Sequence, residues 1–337
     1  AGLGVDVQML YPSIWFPCWL SQVNPVSAYS DWFIQKYPGQ SMNIYSQYVL
    51  DGGDIVADFV SECRAKGISP FIGLAVCHTS QEPQYTGPFF EDNPQYKIGI
   101  DCQNPNSQNF AIPQVVQYRV DLIDELCSNY DIDGIHLDFL RYPLYFDNWC
   151  NPPYTSIADR KIIMTDFISE IRSILDRTAK AGQRRWLSVR IPHLIEANDD
   201  IGVDLQQFYN AGVDMAVVAS YYFTNQQTDL SAIHSTVPDM PLYLEISYCN
   251  SRGGSIDTWR HYTSFEQAYT TAHIAYQQGA QGVSLHNFVY NRAYQNLEPA
   301  FYILPNLNNP DWLARQSQWY MFDYLQNHYH GEPRPVL

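Results

Sequence analysis

Apolar runs of strand length recur seven times in this chain, and most of them follow a segment whose apolar residues return at helical spacing. The first, "GVDVQMLYP" (4–12), has no helix before it. "DIVADFVSECRAKG" (54–67) predicts a helix that stops at Gly67 and leads into "SPFIGLAV" (69–76). "IPQVVQYRVDLIDELCSNY" (112–130) leads into "DGIHLDF" (133–139), and "DRKIIMTDFISEIRSILDRTAKAG" (159–182) into "WLSVRIP" (186–192). "LQQFYNAG" precedes "DMAVVAS", a polar segment precedes "PLYLEIS" (241–247), and "FEQAYTTAHIAYQQGA" precedes "GVSLHNF" (282–288). A last helix is expected over roughly 310–327.

Such alternation means a parallel sheet covered on both faces by helices. The expected fold class is α/β, a (β/α)8 TIM barrel, and seven strands where eight are needed imply that its first strand is missing or irregular. A doubly wound open sheet is the rival, but the Gly-rich phosphate turn it usually carries after its first strand is absent. No Pro/Gly/Ser linker or change of composition divides the chain. Residues 1–337 therefore read as a single barrel domain with a long aromatic-rich insertion at about 13–50.

Composition narrows the partners. Acidic residues number 35 against 19 Lys plus Arg, a formal charge of −16, and no basic stripe is present. Nucleic acid and anionic membranes are thereby disfavoured as partners, and no run has the length of a membrane span. Aromatics reach 15%, with 26 Tyr and 8 Trp, an excess that suits stacking on sugar faces as well as ordinary packing. The seven cysteines form no CxxC pair; Cys63 and Cys127 read as core thiols, while Cys18, Cys102, Cys150 and Cys249 leave a disulfide open. No leader opens the sequence, but a mature secreted protein would look the same. An extracellular, periplasmic or cell-surface location is the expectation, and the oligomeric state is left open.

In a (β/α)8 barrel the chemistry lies at the C-terminal ends of the strands. Those ends carry Gln8 and Tyr11, His78, Asp138 and Arg141, Arg190 and His193, Tyr221 and Tyr222, Glu245, and His286 with Asn287. Side chains alternate along a strand, so Ile135 and Leu137 facing the helices turn His136 and Asp138 inward. The same rule turns Leu242, Leu244 and Ile246 outward and Tyr243 and Glu245 inward. An inward carboxylate is costly unless it is paired or employed. A structural ion pair of Asp138 with Arg141 or Arg190, or of Glu245 with Arg190, is the plain alternative. Two inward acids on different strands are nevertheless what glycosidic cleavage requires, one donating a proton while the other stays ionised. The histidines with Asp138 raise a metal-dependent hydrolase as a third reading, but no HxH or HExxH spacing supports a metal site, and no cofactor is called for.

"NYDIDGIHLDFLRYP", with the helix "VVQYRVDLIDELCS" and "NPNSQNF" before it, resembles the glycosyl hydrolase family-10-like glycosidases, whose fourth strand typically reads D-G-I-H/E-L-D-aromatic-x-R-Y/F-P. The likeness is closest over about residues 100–145. It implies a barrel enzyme acting on a polysaccharide or glycoconjugate, with "DGIHLDF" as fourth strand, "PLYLEIS" as seventh, and the first strand upstream of Ala1. By analogy with retaining enzymes of the related clan, Asp138 is the acid/base and Glu245 the nucleophile. That clan usually has Glu where Asp138 stands, so the reverse assignment stays open. The expected function is a retaining O-glycoside hydrolase with Asp138 and Glu245 as its pair. His78, His136, Arg141, Arg190, His193, His286 and Asn287 would contact substrate or orient the acids, and Trp15, Trp19, Tyr221 and Tyr222 would stack on sugar. The alternative is a non-catalytic carbohydrate-binding or assembly protein on the same barrel.

Overall fold

A computed structural model describes residues 2–12, 16–77, 87–98, 107–141, 143–147, 153–220, 223–252, 260–288, 300–321, 328–329 and 332–333. Seven strands form one sheet: β1 (Val7–Leu10), β2 (Ser69–Ala75), β3 (Gly134–Asp138), β4 (Trp186–Pro192), β5 (Met215–Ala219), β6 (Leu242–Ser247) and, after a hairpin of β7 (Cys249–Arg252) and β8 (Arg260–Tyr262), β9 (Gly282–His286). Their order is β1-β2-β3-β4-β5-β6-β9, the order in which the sheet's strands occur along the chain. A doubly wound sheet reverses direction at a switch point, and this one never does. It is the parallel sheet of a (β/α)8 barrel with irregular edges.

All seven expected strands are present, the first trimmed to its four central residues. Helix boundaries follow their caps. Helix α1 (Val26–Lys36) and α2 (Ile44–Leu50) occupy the aromatic-rich stretch, so that it is substantially helical. In α3 (Ile55–Lys66) the Asp54 side chain accepts from Ala57 N–H, and Gly67 closes the helix at φ 67°, where only glycine sits without strain. Further along come α4 (Gly87–Glu91), α5 (Pro113–Asn129), α6 (Ile157–Thr178), α7 (Ile195–Asp200), α8 (Leu205–Asn210), α9 (Leu230–Thr236) and α10 (Phe265–Gln277). The last opens on a capping box between Ser264 and Gln267.

The closing helix expected over 310–327 is a correction: helix extends only over Pro310–Leu313, and 322–327 lie outside the described residues. Through Gln316 the backbone still bonds locally, to Pro310, Trp312 and Leu313, and beyond it finds partners elsewhere. Trp319 N–H donates to Thr270 Oγ1 and Met321 N–H to Gln226 Oε1, so tertiary contacts replace the helical ladder.

The chain forms two compact units. One comprises residues 7–188 and 199–213; the other comprises 1–6, 189–198 and 214–337, so that β4 gives its first three residues to one and its last four to the other. In the first unit Leu74, Ala75, Val76 and Leu137 line a small cavity with Arg119, Leu122 and Ile123 of α5 and Phe167 of α6. Leu74 and Leu137 thus face helices. In the second unit Ile246 packs with Ala268, Tyr269 and Ala272 of α10 and with Ile303, Leu304 and Leu307. In each unit the residues between these apolar positions are turned to the opposite face of the sheet.

Candidate active site

β2 and β3 run in register, Gly73 beside His136 and Ala75 beside Asp138. Neighbours in a parallel pair point to the same face, so His136 and Asp138 stand against two residues too small to crowd them. The ring of Tyr11 fills the space over Gly73, where an added Cβ would lie 2.5 Å from it, and meets His136 edge-on at 6.2 Å between centroids. His136 is 2% exposed, and its Nδ1 lies 2.9 Å from Ser188 Oγ on β4. Ser188 escaped the sequence reading, although its place two residues before Arg190 on "WLSVRIP" puts it on the same face.

Asp138 is 1% exposed. Its Oδ1 accepts the backbone N–H groups of Leu140 and Arg141, both at 2.9 Å, so one carboxylate oxygen turns the chain at the strand end. Arg141 thus meets Asp138 through its backbone N–H. Asp133, five residues earlier, is structural: Arg64 of α3 engages both its oxygens and Ser69 donates to it. Burial alone would push its pKa up, but the hydrogen bonds from Arg64 and Ser69 outweigh that and hold it below the ordinary carboxylate value.

In the other unit Glu245 sits in β6 beside Ser284 of β9, and Ser247 sits beside His286. Arg190 donates through Nε to Oε2 at 2.6 Å and through Nη2 to Oε1 at 2.7 Å. Both side chains are within a few per cent of full burial. A guanidinium fork that engages both oxygens is complementary to the ionised carboxylate and fixes its plane. His286 Nδ1 lies 3.8 Å from Oε2, and Asn287 next to it is the one non-glycine among the described residues with a left-handed backbone, φ 53°. Such strain gathers at functional strand ends, and Asn tolerates it better than most residues.

The remaining expected residues divide. His193 is buried, and burial pushes its pKa down to about 4, so it is neutral at pH 7. Trp19 corrects an expectation: it is wholly buried, and its indole N–H donates to Glu125 at 2.9 Å, which leaves no ring face for a sugar. His78, Trp15, Tyr221 and Tyr222 lie outside the described residues. Cys18, Cys63, Cys77, Cys127 and Cys249 are buried free thiols, so no disulfide joins any of these five; Cys102 and Cys150 lie outside the described residues. Among the described residues no group of three His, Cys, Asp or Glu is placed to hold a metal ion, and no helix is long and apolar enough to cross a membrane.

No family model matches the chain, and no curated protein does. Among solved structures, alpha-L-fucosidase isoenzyme 2 from Paenibacillus thiaminolyticus is similar at 11% identity with a TM-score of 0.52, over 90% of this chain and 49% of that one. The beta-galactosidase from the psychrophilic Marinomonas ef1 is similar at 10% identity with a TM-score of 0.51, over 85% of this chain and 50% of that one. This chain spans about half the length of each. Both neighbours are glycosidases by name, and at these identities what is shared is the barrel.

Proposed function

We propose that the protein is an O-glycoside hydrolase acting on a polysaccharide or glycoconjugate, with Asp138 and Glu245 as its carboxyl pair. The observation that supports it best is the buried Arg190–Glu245 pair in the C-terminal half of barrel strands, on the face opposite the helices. Burying two charges costs several kcal/mol per ion before any attraction is counted. An apolar pair would fill the same space at lower cost, so a buried ion pair in a barrel's interior calls for a use.

The pair also supports a division of labour. A carboxylate with both oxygens held by a guanidinium is a poor proton donor and a well-aimed anion, so Glu245 is the nucleophile. Asp138, with Oδ1 committed to the turn, is the acid/base. Glu245 attacks the anomeric carbon as Asp138 protonates the leaving oxygen; Asp138 then takes a proton from the water that releases the sugar, and configuration is retained. In this reading His136, beside Ser188, and His286, near Glu245, meet substrate hydroxyls. A polymeric substrate suits an extracellular, periplasmic or cell-surface location, which fractionation of native cells tests.

The decisive experiment is azide rescue on activated aryl glycosides. Glu245→Gln should lose at least about 10³-fold in kcat; Glu245→Ala should regain turnover with azide, giving a glycosyl azide of inverted configuration. Asp138→Ala with azide should give the retained azide. Full activity in Asp138→Asn would remove Asp138 from the chemistry and leave it as a turn-former, the second reading that its two backbone hydrogen bonds favour.

A further inference from the structure

Beyond Leu313 the chain "QSQWYM" (316–321) leaves the helix and lies as a strap in the unit that holds Glu245. Its backbone is fixed at successive points. Thr270 Oγ1 accepts Trp319 N–H at 2.7 Å, and the Gln226 amide spans the strap, donating to Trp319 O at 3.1 Å and accepting Met321 N–H at 2.8 Å. Gln318 donates to Leu313 O and Gln316 O. Despite this anchoring, Trp319 is 54% and Tyr320 65% exposed. The backbone is ordered while two of the largest apolar side chains of the unit are turned to water, the reverse of what packing alone favours.

The anchor also leads to the mouth. Gln226 follows β5 in a loop whose Thr224 Oγ1 donates to Ser247 O at 2.8 Å and accepts Ser247 N–H at 2.9 Å, two residues beyond Glu245. The same hydroxyl meets Thr263 Oγ1 at 2.9 Å, just before α10. The strap is therefore tied to the sheet end that carries Glu245.

We propose that Trp319 and Tyr320 form a stacking platform for an uncharged stretch of a saccharide chain, a site additional to the carboxyl pair. This rests on the glycosidase reading for its substrate class. Rings whose backbone is already fixed pay little ordering entropy on binding, and amphipathic aromatics cover the apolar face of a sugar well. The six residues 316–321 carry no charge, and their neighbouring groups are amides and hydroxyls that match sugar hydroxyls. With no cation in the strap and −16 on the chain, polyanions are disfavoured and a neutral glycan fits.

The test is affinity electrophoresis in gels containing xylan, galactomannan, laminarin or glycol chitin, run on the Glu245→Gln protein so that binding is read without turnover. At least one polysaccharide should retard it, and Trp319→Ala in the same background should raise the apparent Kd about tenfold. Trp319→Phe should keep most of the retardation; Tyr45→Ala, a ring equally exposed on α2, should leave it unchanged. Tyr320→Ala is the second variant should Trp319→Ala fail to fold. No retardation by any of the four, unchanged retardation in both ring variants, or co-sedimentation with phosphatidylcholine vesicles in place of polysaccharide binding overturns the platform. Hydrolysis by wild type is scored separately, so either result can fail without the other.

Discussion

Replacing Arg190 with Met keeps roughly the length of the side chain, removes the fork, and leaves Glu245 buried with its charge uncompensated. The cost follows from geometry: the contacts of 2.6 and 2.7 Å put the charge centres about 4 Å apart, worth about 4 kcal/mol at an effective dielectric near 20. Loss of one partner from such a buried pair costs about 3–5 kcal/mol. Urea unfolding followed by far-UV circular dichroism should therefore place Arg190→Met about 3–5 kcal/mol below wild type. Glu245→Leu should fall by a similar amount because it strands the guanidinium. The double variant Arg190→Met/Glu245→Leu should return to within about 1 kcal/mol of wild type while staying inactive, a coupling energy of several kcal/mol. That combination, recovered stability without recovered activity, is what a functional ion pair predicts. If Arg190→Met cost less than about 1 kcal/mol, or if the two losses simply added, the pair would be screened by water and the case for its being retained for chemistry would collapse.

Other outcomes follow from the same contacts. Gly73→Ala drives a methyl into the Tyr11 ring and should cost about 1–3 kcal/mol, much of it recovered in Gly73→Ala/Tyr11→Ala; thermal unfolding of the set decides. Glu125 accepts from Trp19, Ser21 and the backbone of Gln22 and Val23, so Glu125→Ala should free the 19–23 loop, cost about 2 kcal/mol, and show as faster proteolysis there. His193 binds a proton more weakly folded, pKa about 4, than unfolded, about 6.5; stability is full above about pH 6.5 and falls as pH drops toward 4, by on the order of 3 kcal/mol in total, and His193→Gln should flatten that limb of the pH–stability curve.

The parts of the molecule legible in the sequence are those governed by period. The helix over 55–66 was marked by its apolar spacing and by Gly67, and the strands by apolar, β-branched runs, because periodicity and helix stops act within a few residues. The inward setting of Asp138 and Glu245 followed from the same two-residue rule once their neighbours were seen to be apolar. What was not legible depends on partners far along the chain. Trp19 reads as an exposed platform until Glu125, 106 residues away, is seen to take its N–H. The tail after Leu313 reads as helix until Thr270 and Gln226 are seen to take its backbone donors, and no local signal in "QSQWYM" announces either.

β4 shows how far one local rule reaches. Ser188 and Arg190 are two residues apart and so project from the same face of one strand. Ser188 meets His136, and Arg190 meets Glu245, each the inward polar side chain of its own unit. A slip of β4 by one residue would turn both to the helices and replace them with Leu187, Val189 and Ile191, all wholly buried now. The register is therefore enforced twice, by three apolar residues that must face the helices and by two polar ones that must not. Since the apolar set alone would set the register, what Ser188 and Arg190 add lies in their partners, His136 and Glu245, which are the groups nearest the proposed chemistry. Ser188→Ala makes the separation measurable. It should cost about 1 kcal/mol of stability through the lost hydrogen bond, yet change the pH profile of kcat/KM by releasing the His136 ring. An unaltered profile would reduce the Ser188–His136 contact to packing.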